Sequence, residues 1–525
     1  MASGADRERP PVAARLALGA VCSVLFLTFL DNTIVSVALA NMQTSLKAGV
    51  SSLQWIVDGY ILAFAALMLT GGTLGDILGR KKVLLFGVAV FCAGALVSAL
   101  ADGADTLIAG RIVMGVGAAA SEPGTLSLIR QLYPNERERA RALGIWTSVS
   151  GISLAAGPVL GGLLVAVAGW RGVFWFSFAL GLVALVAAAR TLEESADPEG
   201  RTVDLPGLAA GAIAITTLTF ALIKGESAGF GRWWIIVLYA SSGIAAAAFV
   251  AIERRRRDPV LPLEFFRLPT FSIANAVAFA TSFGLFAVFF FTALYLQVVS
   301  HFSGAKIALQ FVAMAVAMVV GGRVAGIWTA ERGARAPMLV GCLLAAGGMF
   351  AVDGLLKPSV SVAPLAAALA LVGLGLGIAL VAVTAAVLSI VPAQRSGMAA
   401  STLNTSRQLG GVLAVAILGA VVNARLVSDL TAKLSAIGIP PIFQTEIIHA
   451  VTSGGLPANA QQAVAANPLA AAEALTHPGA LSKILDSAEA AFGSGLHVAL
   501  VVAAVILLAG GALSLLATPP PQPSG

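Results

Sequence analysis

Charge is scarce in this chain: only 11% of its 525 residues are Asp, Glu, Lys or Arg, against about 25% in an ordinary soluble domain. So few charges cannot cover a water-facing surface, which excludes a soluble globular protein. Cysteine is nearly absent. Cys22, Cys92 and Cys342 lie far apart inside apolar runs, which excludes a disulfide framework or a thiolate metal site and leaves them as packing residues. Four histidines form no H-E-x-x-H pattern or other cluster, so no metal is expected. No phosphate-binding glycine loop occurs, which argues against ATP as the energy source and leaves no cofactor to expect. The net charge of +6 would suit nucleic acid, but in so apolar a chain it reflects membrane topology, and no nucleic-acid partner is expected.

What the chain has in abundance is long apolar sequence, with 58% hydrophobic residues. A membrane-crossing helix needs about 20 predominantly apolar residues. That rule places spans near 15–39, 53–72, 83–101, 106–128, 141–166, 172–189, 204–223, 233–252, 270–298, 306–328, 337–356, 363–391, 401–424 and 496–517. The first run is too long for a signal-peptide core. These fourteen spans divide the chain into a tail (1–14), six helices (15–190), a linker with two helices (191–269), six more helices (270–517) and a tail (518–525). The segment 425–495 is a long, Ala-rich loop with one helical-looking piece at Gln461–Leu475, read either as a partly ordered cap or as a substrate-gating element.

Cations stay on the cytoplasmic side of a bilayer. With the N-terminus inside, 20 Lys and Arg fall on inside segments and nine on outside ones, while Arg111, Arg323 and Arg407 lie within spans. Both termini are therefore expected in the cytoplasm and the loop 425–495 outside. The run Arg254–Arg257 anchors the end of the eighth span, where contact with anionic lipid is also open.

Between the second and third spans the chain reads GTLGDILGRKK (72–82), a polar stretch expected to be a short surface loop. Its pattern G-x-L-x-D-x-x-G-R-K resembles the signature loop of major facilitator superfamily transporters. LDNTIVSVAL (30–39), RIVMGVGAAASEPGTL (111–126) and GISLAAGPVLGG (151–162) resemble the first-, fourth- and fifth-helix motifs of the fourteen-helix drug:proton antiporters in that superfamily. WRGVFWFSFALG (170–181) and STLNTSRQLGG (401–411) add context like that of the family. The resemblance covers nearly the whole chain. It implies an all-α integral membrane fold, two six-helix bundles plus two additional helices. It further implies a monomer in the bacterial cytoplasmic (inner) membrane, amid lipid, that exports lipophilic, cationic small molecules by alternating access, with the proton gradient as energy source. Export of one endogenous metabolite, antibiotic or lipid on the same fold stays open. A polytopic membrane enzyme lacks a catalytic cluster, and a sensor lacks a signalling domain.

Helical geometry singles out the interior charges. Arg111 and Glu122 are eleven residues apart, which returns them to within about 20° of one azimuth, with Gly115 and Ala118 on the same stripe. Charges facing lipid are costly, so this stripe should face inward. Pro123 is placed to kink the helix and free a carbonyl near the acid. At 1.5 Å per residue, Arg111, Asp58 and Asp31 all lie in the outer half, Arg111 roughly 8 Å deep. We expect Asp31 and Arg111 to be the proton-coupling pair. Asp58 would meet a cationic substrate or proton, and Glu122 would be a deeper acid in the same cavity. For Asp31 a helix-packing role is open, and for Asp58 an interfacial one. Tyr295, Gln297, Thr384 and Asn404 are candidates for the C-terminal side of that cavity, with polar packing the alternative. The stretch Asn404, Arg407, Gln408 stands where related cation exporters often carry acids, which weakens any dication preference and confines proton binding to the first six helices.

The remaining candidates concern movement. Ser153, Gly157 and Gly161 recur every fourth residue around Pro158, either as ordinary close packing or as a seam that bends during the switch. Gly72 and Gly79 would permit a close turn, and Arg80 with its neighbouring lysines anchors topology. By resemblance, Asp76 should meet the N-terminus of a C-half helix starting near Ser401 and latch the halves. Ile77 stands where the family often has a basic residue. GGRVAGIWTAERGAR (321–335) looks like a degenerate second copy of the loop, with Gly326 at the acid's position, as duplication would leave.

Overall fold

The computed structural model describes residues 12–46, 50–195, 204–256, 261, 263–300, 302, 304–357, 361–392, 395–437, 444–445, 448 and 480–517. Inside a bilayer no water satisfies the backbone, so each apolar run must close its own hydrogen bonds as a helix. Thirteen helices among the described residues are long and apolar enough to cross. They are α1 Val12–Leu46, α2 Val50–Leu78, α3 Arg80–Ala99, α4 Ala104–Leu132, α5 Glu136–Thr191, α6 Leu205–Ala228 and α7 Trp233–Glu253. The second set comprises α8 Pro269–Val298, α9 Gly304–Arg332, α10 Arg335–Leu355, α11 Val362–Ile390, α12 Ser396–Ile437 and α13 Ala480–Ser514.

The difference from fourteen lies in α5. Gly169 breaks its helical dihedrals, with φ 68° and ψ −175°. At this break the amide of Trp170 donates to Asn41 Oδ1 at the end of α1, and Arg171 donates to the Ala101 carbonyl. The far end of α5 returns to Lys81, whose ammonium donates to the Leu192 carbonyl. Residues 136–191 thus form two helices that meet at Gly169 without an intervening loop, because a single glycine at positive φ makes the reversal.

Helices meet where side chains are small. A Cβ on Gly87 would lie 2.7 Å from the Gly117 carbonyl oxygen, and one on Gly110 3.0 Å from that of Gly94, so rows seven residues apart close α3 on α4. The same device recurs in the second half, where a Cβ on Gly341 would lie 2.7 Å from the Gly375 oxygen, joining α10 to α11. Gly71 and Gly115 bring α2 against α4, while Gly321, Gly373 and Gly377 bring α9 against α11. Large apolar side chains such as Phe86, Val183, Ile236, Ile244 and Val316 remain exposed, as a lipid-facing belt requires. The added helices α6 and α7 pack on each other, and α6 also on α2 and α12.

Two expectations are corrected. The stretch 72–82 is not a loop: α2 runs to Leu78 and α3 starts at Arg80, with Gly79 (φ 114°) the only break. Helix α12 begins at Ser396 rather than near Ser401 and runs past 424 to Ile437, while α13 begins at Ala480 rather than 496, so both ends of the expected outer loop are helical. The piece at 461–475 lies outside the described residues.

Candidate functional site

Two charged sites hold the interior, one within the first six crossings and one between the halves. In the first, Asp31 of α1 and Arg111 of α4, both about 1% exposed, form an ion pair through Arg111 Nη1 and Asp31 Oδ2. Arg111 Nε donates to the Ile56 carbonyl at 2.9 Å, and the guanidinium lies 4.5 Å from the Tyr60 ring centroid. Tyr60 in turn donates to the Thr28 carbonyl at 3.1 Å. One cation thus ties α1, α2 and α4 together. Asp31 Oδ1 has no hydrogen-bond partner.

Asp58 is only partly buried and does not join this pair. It lines a cavity of about 190 Å³ with Asn32, Ile61, Phe286 and Gln408. Glu122, 2% exposed, lines a smaller cavity of about 40 Å³ with Trp146, Met318, Asn404, Arg407 and Gln408. Asn32, Phe286 and Gln408 border both spaces, so the two acids occupy adjoining compartments rather than one cavity with Arg111.

The C-terminal candidates divide. Asn404 lines the smaller cavity, and Thr384 accepts from Arg407 Nη2 at 2.6 Å. Tyr295 borders neither cavity and packs near Gly493 of α13, because its place near the end of α8 turns it into that bundle. The Gln297 and Pro158 side chains lie outside what the structure describes. Arg407 and Trp146 were not singled out as site residues from sequence. A lone in-span Arg and a tryptophan carry no motif, although an arginine that must be inward-facing is itself a signal.

Asp76 joins α2 of the first half to α12 of the second. Its Oδ1 accepts from the Gly397 amide at 3.0 Å and its Oδ2 from the Met398 amide at 2.9 Å, the first turn of α12, where free N–H groups and the helix dipole favour an anion. Arg80 donates to the same carboxylate from Nε at 3.0 Å and Nη2 at 2.9 Å, so it orients the acid as well as adding charge to that face. Gly72 belongs to a contact rather than a turn: a Cβ there would fall 2.5 Å from Ser401 Cβ and 2.6 Å from the Gly397 oxygen. Gly79 makes the turn, and Glu194 closes it by accepting from the Lys81 and Lys82 amides, each at 3.1 Å. A second contact between the halves joins α5 to α9. Cβ atoms on Gly144 and Gly326 would lie 2.7 and 2.6 Å from the Gly322 and Ala140 oxygens. Helix backbone therefore fills the space an acid at position 326 would need. In the fifth-helix row, a Cβ on Gly157 would lie 1.9 Å from Thr33 Oγ1 and one on Gly161 2.7 Å from the Ile34 oxygen, while Ser153 donates to the Val149 carbonyl.

Helices in two six-crossing sets, meeting around buried charges and interleaved glycines, define a polytopic membrane carrier. The chain belongs to the Major Facilitator Superfamily, whose family model matches residues 21–415. It is similar to the "Multidrug resistance protein Stp" of Mycobacterium tuberculosis, 31% identical over 425 residues that cover 81% of this chain and 78% of that protein. It is also similar to the "Tetracenomycin C resistance and export protein" of Streptomyces glaucescens, 31% identical over 512 residues, 97% of this chain and 92% of that one. Among solved structures, the proton:xylose symporter XylE shares the fold with a TM-score of 0.58 at 14% identity, covering 77% of this chain and 88% of that one.

Proposed function

We propose that this protein is a proton-coupled exporter of lipophilic drugs, cationic ones included, working by alternating access of its two halves. The observation that carries proton coupling is the buried Asp31–Arg111 pair, in which one carboxylate oxygen has no partner. A proton on Asp31 would cancel the negative charge that holds Arg111, and so change how α1, α2 and α4 are tied. Export is supported by relatives named for resistance and export. Asp58, at the wall of the larger cavity, is the acid on which a cationic substrate would rest, and Glu122 is the second. The face bearing Arg80–Lys82 is cytoplasmic in this reading, with both termini on that side of a bacterial cytoplasmic membrane and the single chain as the working unit. The Asp76 latch would then hold the cytoplasmic side shut while the cavity faces out. Export of a single antibiotic or endogenous metabolite is the second reading, favoured by the full-length similarity to a protein named for tetracenomycin C export.

The test is ethidium efflux from proteoliposomes. Coupled transport should accelerate several-fold when a pH gradient is imposed and stop when it is collapsed. Efflux indifferent to the gradient would remove the antiport reading.

A further inference from the structure

Glu122 and Arg407 line one small space between the halves. Arg407 enters from α12 of the second half and Glu122 from α4 of the first, and both line the 40 Å³ cavity. Among the described residues the hydrogen-bond partners of Arg407 are neutral: Asn404 Oδ1 at 3.1 Å, Thr384 Oγ1 at 2.6 Å and the Leu380 carbonyl at 3.3 Å. Its Nε has no hydrogen-bond partner. Glu122 Oε2 and Asn404 Nδ2 are likewise without one. Among the described residues no ion pair joins Glu122 to Arg407 within 4.0 Å. One cation and one anion therefore face the same space across a gap, each with an unused polar atom.

Buried polar atoms without partners cost about 1–3 kcal/mol each, and three in one cavity mark a place where an occupant restores what is lost. A water needs only roughly 10–15 Å³ of such space, so 40 Å³ holds a larger polar group. The donors, Arg407 Nε and Asn404 Nδ2, ask for an acceptor with more than one oxygen. A guanidinium matches a planar carboxylate best. Phe29, Trp146, Leu285, Phe286 and Met318 give the remaining wall an aromatic and aliphatic character suited to a flat lipophilic frame. Asn32, Phe286 and Gln408 also border the larger cavity.

We infer that Arg407 and Asn404 form a subsite for the acidic end of a lipophilic cargo, a carboxylate or ionised phenol on an aromatic frame, with Glu122 as the anion that competes for the same space. The inference rests on the transport reading for its meaning, and it widens the substrate class beyond cations. Asp58 lines the larger cavity and Arg407 the smaller one, so a cation and an acid would each have a charge to meet.

The test is equilibrium binding to the purified full chain in detergent, using anthraquinone-2-carboxylic acid and its carboxamide, which share one frame. Wild type should bind the acid at least tenfold more tightly than the amide. Arg407→Gln should abolish that preference, Arg407→Lys should restore part of it, and Glu122→Gln should strengthen acid binding several-fold. If Arg407→Gln weakens acid and amide alike, Arg407 is a packing residue and the subsite does not exist. If wild type does not prefer the acid, the space holds water only and the inference fails. Ethidium efflux on the same wild-type protein separates the two claims. Gradient-driven efflux with no acid preference sinks the subsite alone, and an acid preference with gradient-indifferent efflux sinks the coupling alone.

Discussion

Asp76 shows how much one carboxylate can hold. It receives four hydrogen bonds, two from Arg80 and two from the first turn of α12. Charge-assisted bonds are worth about 1.5–3 kcal/mol each. Asp76→Asn keeps the shape and loses the charge, so the closed gate should lose about that much, shifting the balance of the two states roughly 10- to 100-fold. The expected outcome is slower ethidium efflux with the dissociation constant nearly intact, because Arg80, Gly397 and Met398, which hold Asp76, line neither of the two cavities described above. A collapse of affinity would contradict the latch. Asp31 behaves differently, since among the described residues Arg111 pairs with no other carboxylate. Asp31→Asn leaves a buried guanidinium uncompensated, a loss of about 3–5 kcal/mol, and should lower the yield of folded protein. Asp31→Asn with Arg111→Gln should recover yield, measured by detergent size-exclusion chromatography, without recovering gradient-driven efflux.

At the scale of helices, distance between backbones decides what is tolerated. The α1–α5 seam leaves no room at Gly157, where even a methyl group would overlap Thr33 Oγ1. Gly157→Leu must part the two helices, and transport should fall below detection while the protein still reaches the membrane fraction. Retained transport would show that the seam does not need to close. The end of α3 depends on a more distant residue. Glu194 caps the first amides of α3 from across the N-terminal half, and losing such a cap costs about 1 kcal/mol. Glu194→Ala should therefore lower the melting temperature in detergent. No sequence rule reports this cap, because the acid lies 113 residues from the amide it serves.

For the whole molecule, the halves meet in two unlike ways. At α2–α12 they meet on charge as well as on glycine, and at α5–α9 on glycine against backbone. The second contact offers a direct probe of movement. A Cβ on Gly151 would stand 3.5 Å from Met318 Cβ, at the near edge of disulfide geometry. Gly151→Cys with Met318→Cys, in a background without Cys22, Cys92 and Cys342, should cross-link under mild oxidant and stop ethidium efflux, and a reductant should restore it. Free transport with the bond formed would exclude separation of α5 from α9 as part of the cycle.

The lesson for reading such chains follows from these elements. Hydropathy alone determined the membrane class and where the apolar helices fall, and depth along those helices brought Asp31 and Arg111 to a common level. A bilayer forces apolar runs into helices and charges inward, and both constraints act on local sequence. Sequence alone did not settle which surfaces meet across the halves. That the helix Asp76 meets starts at Ser396 rather than near Ser401, that Tyr295 turns away from the cavity, and that Glu122 and Arg407 face one space were decided by the tertiary structure. Those outcomes depend on the rotation and offset of helices hundreds of residues apart, which depth and azimuth within a single helix do not specify.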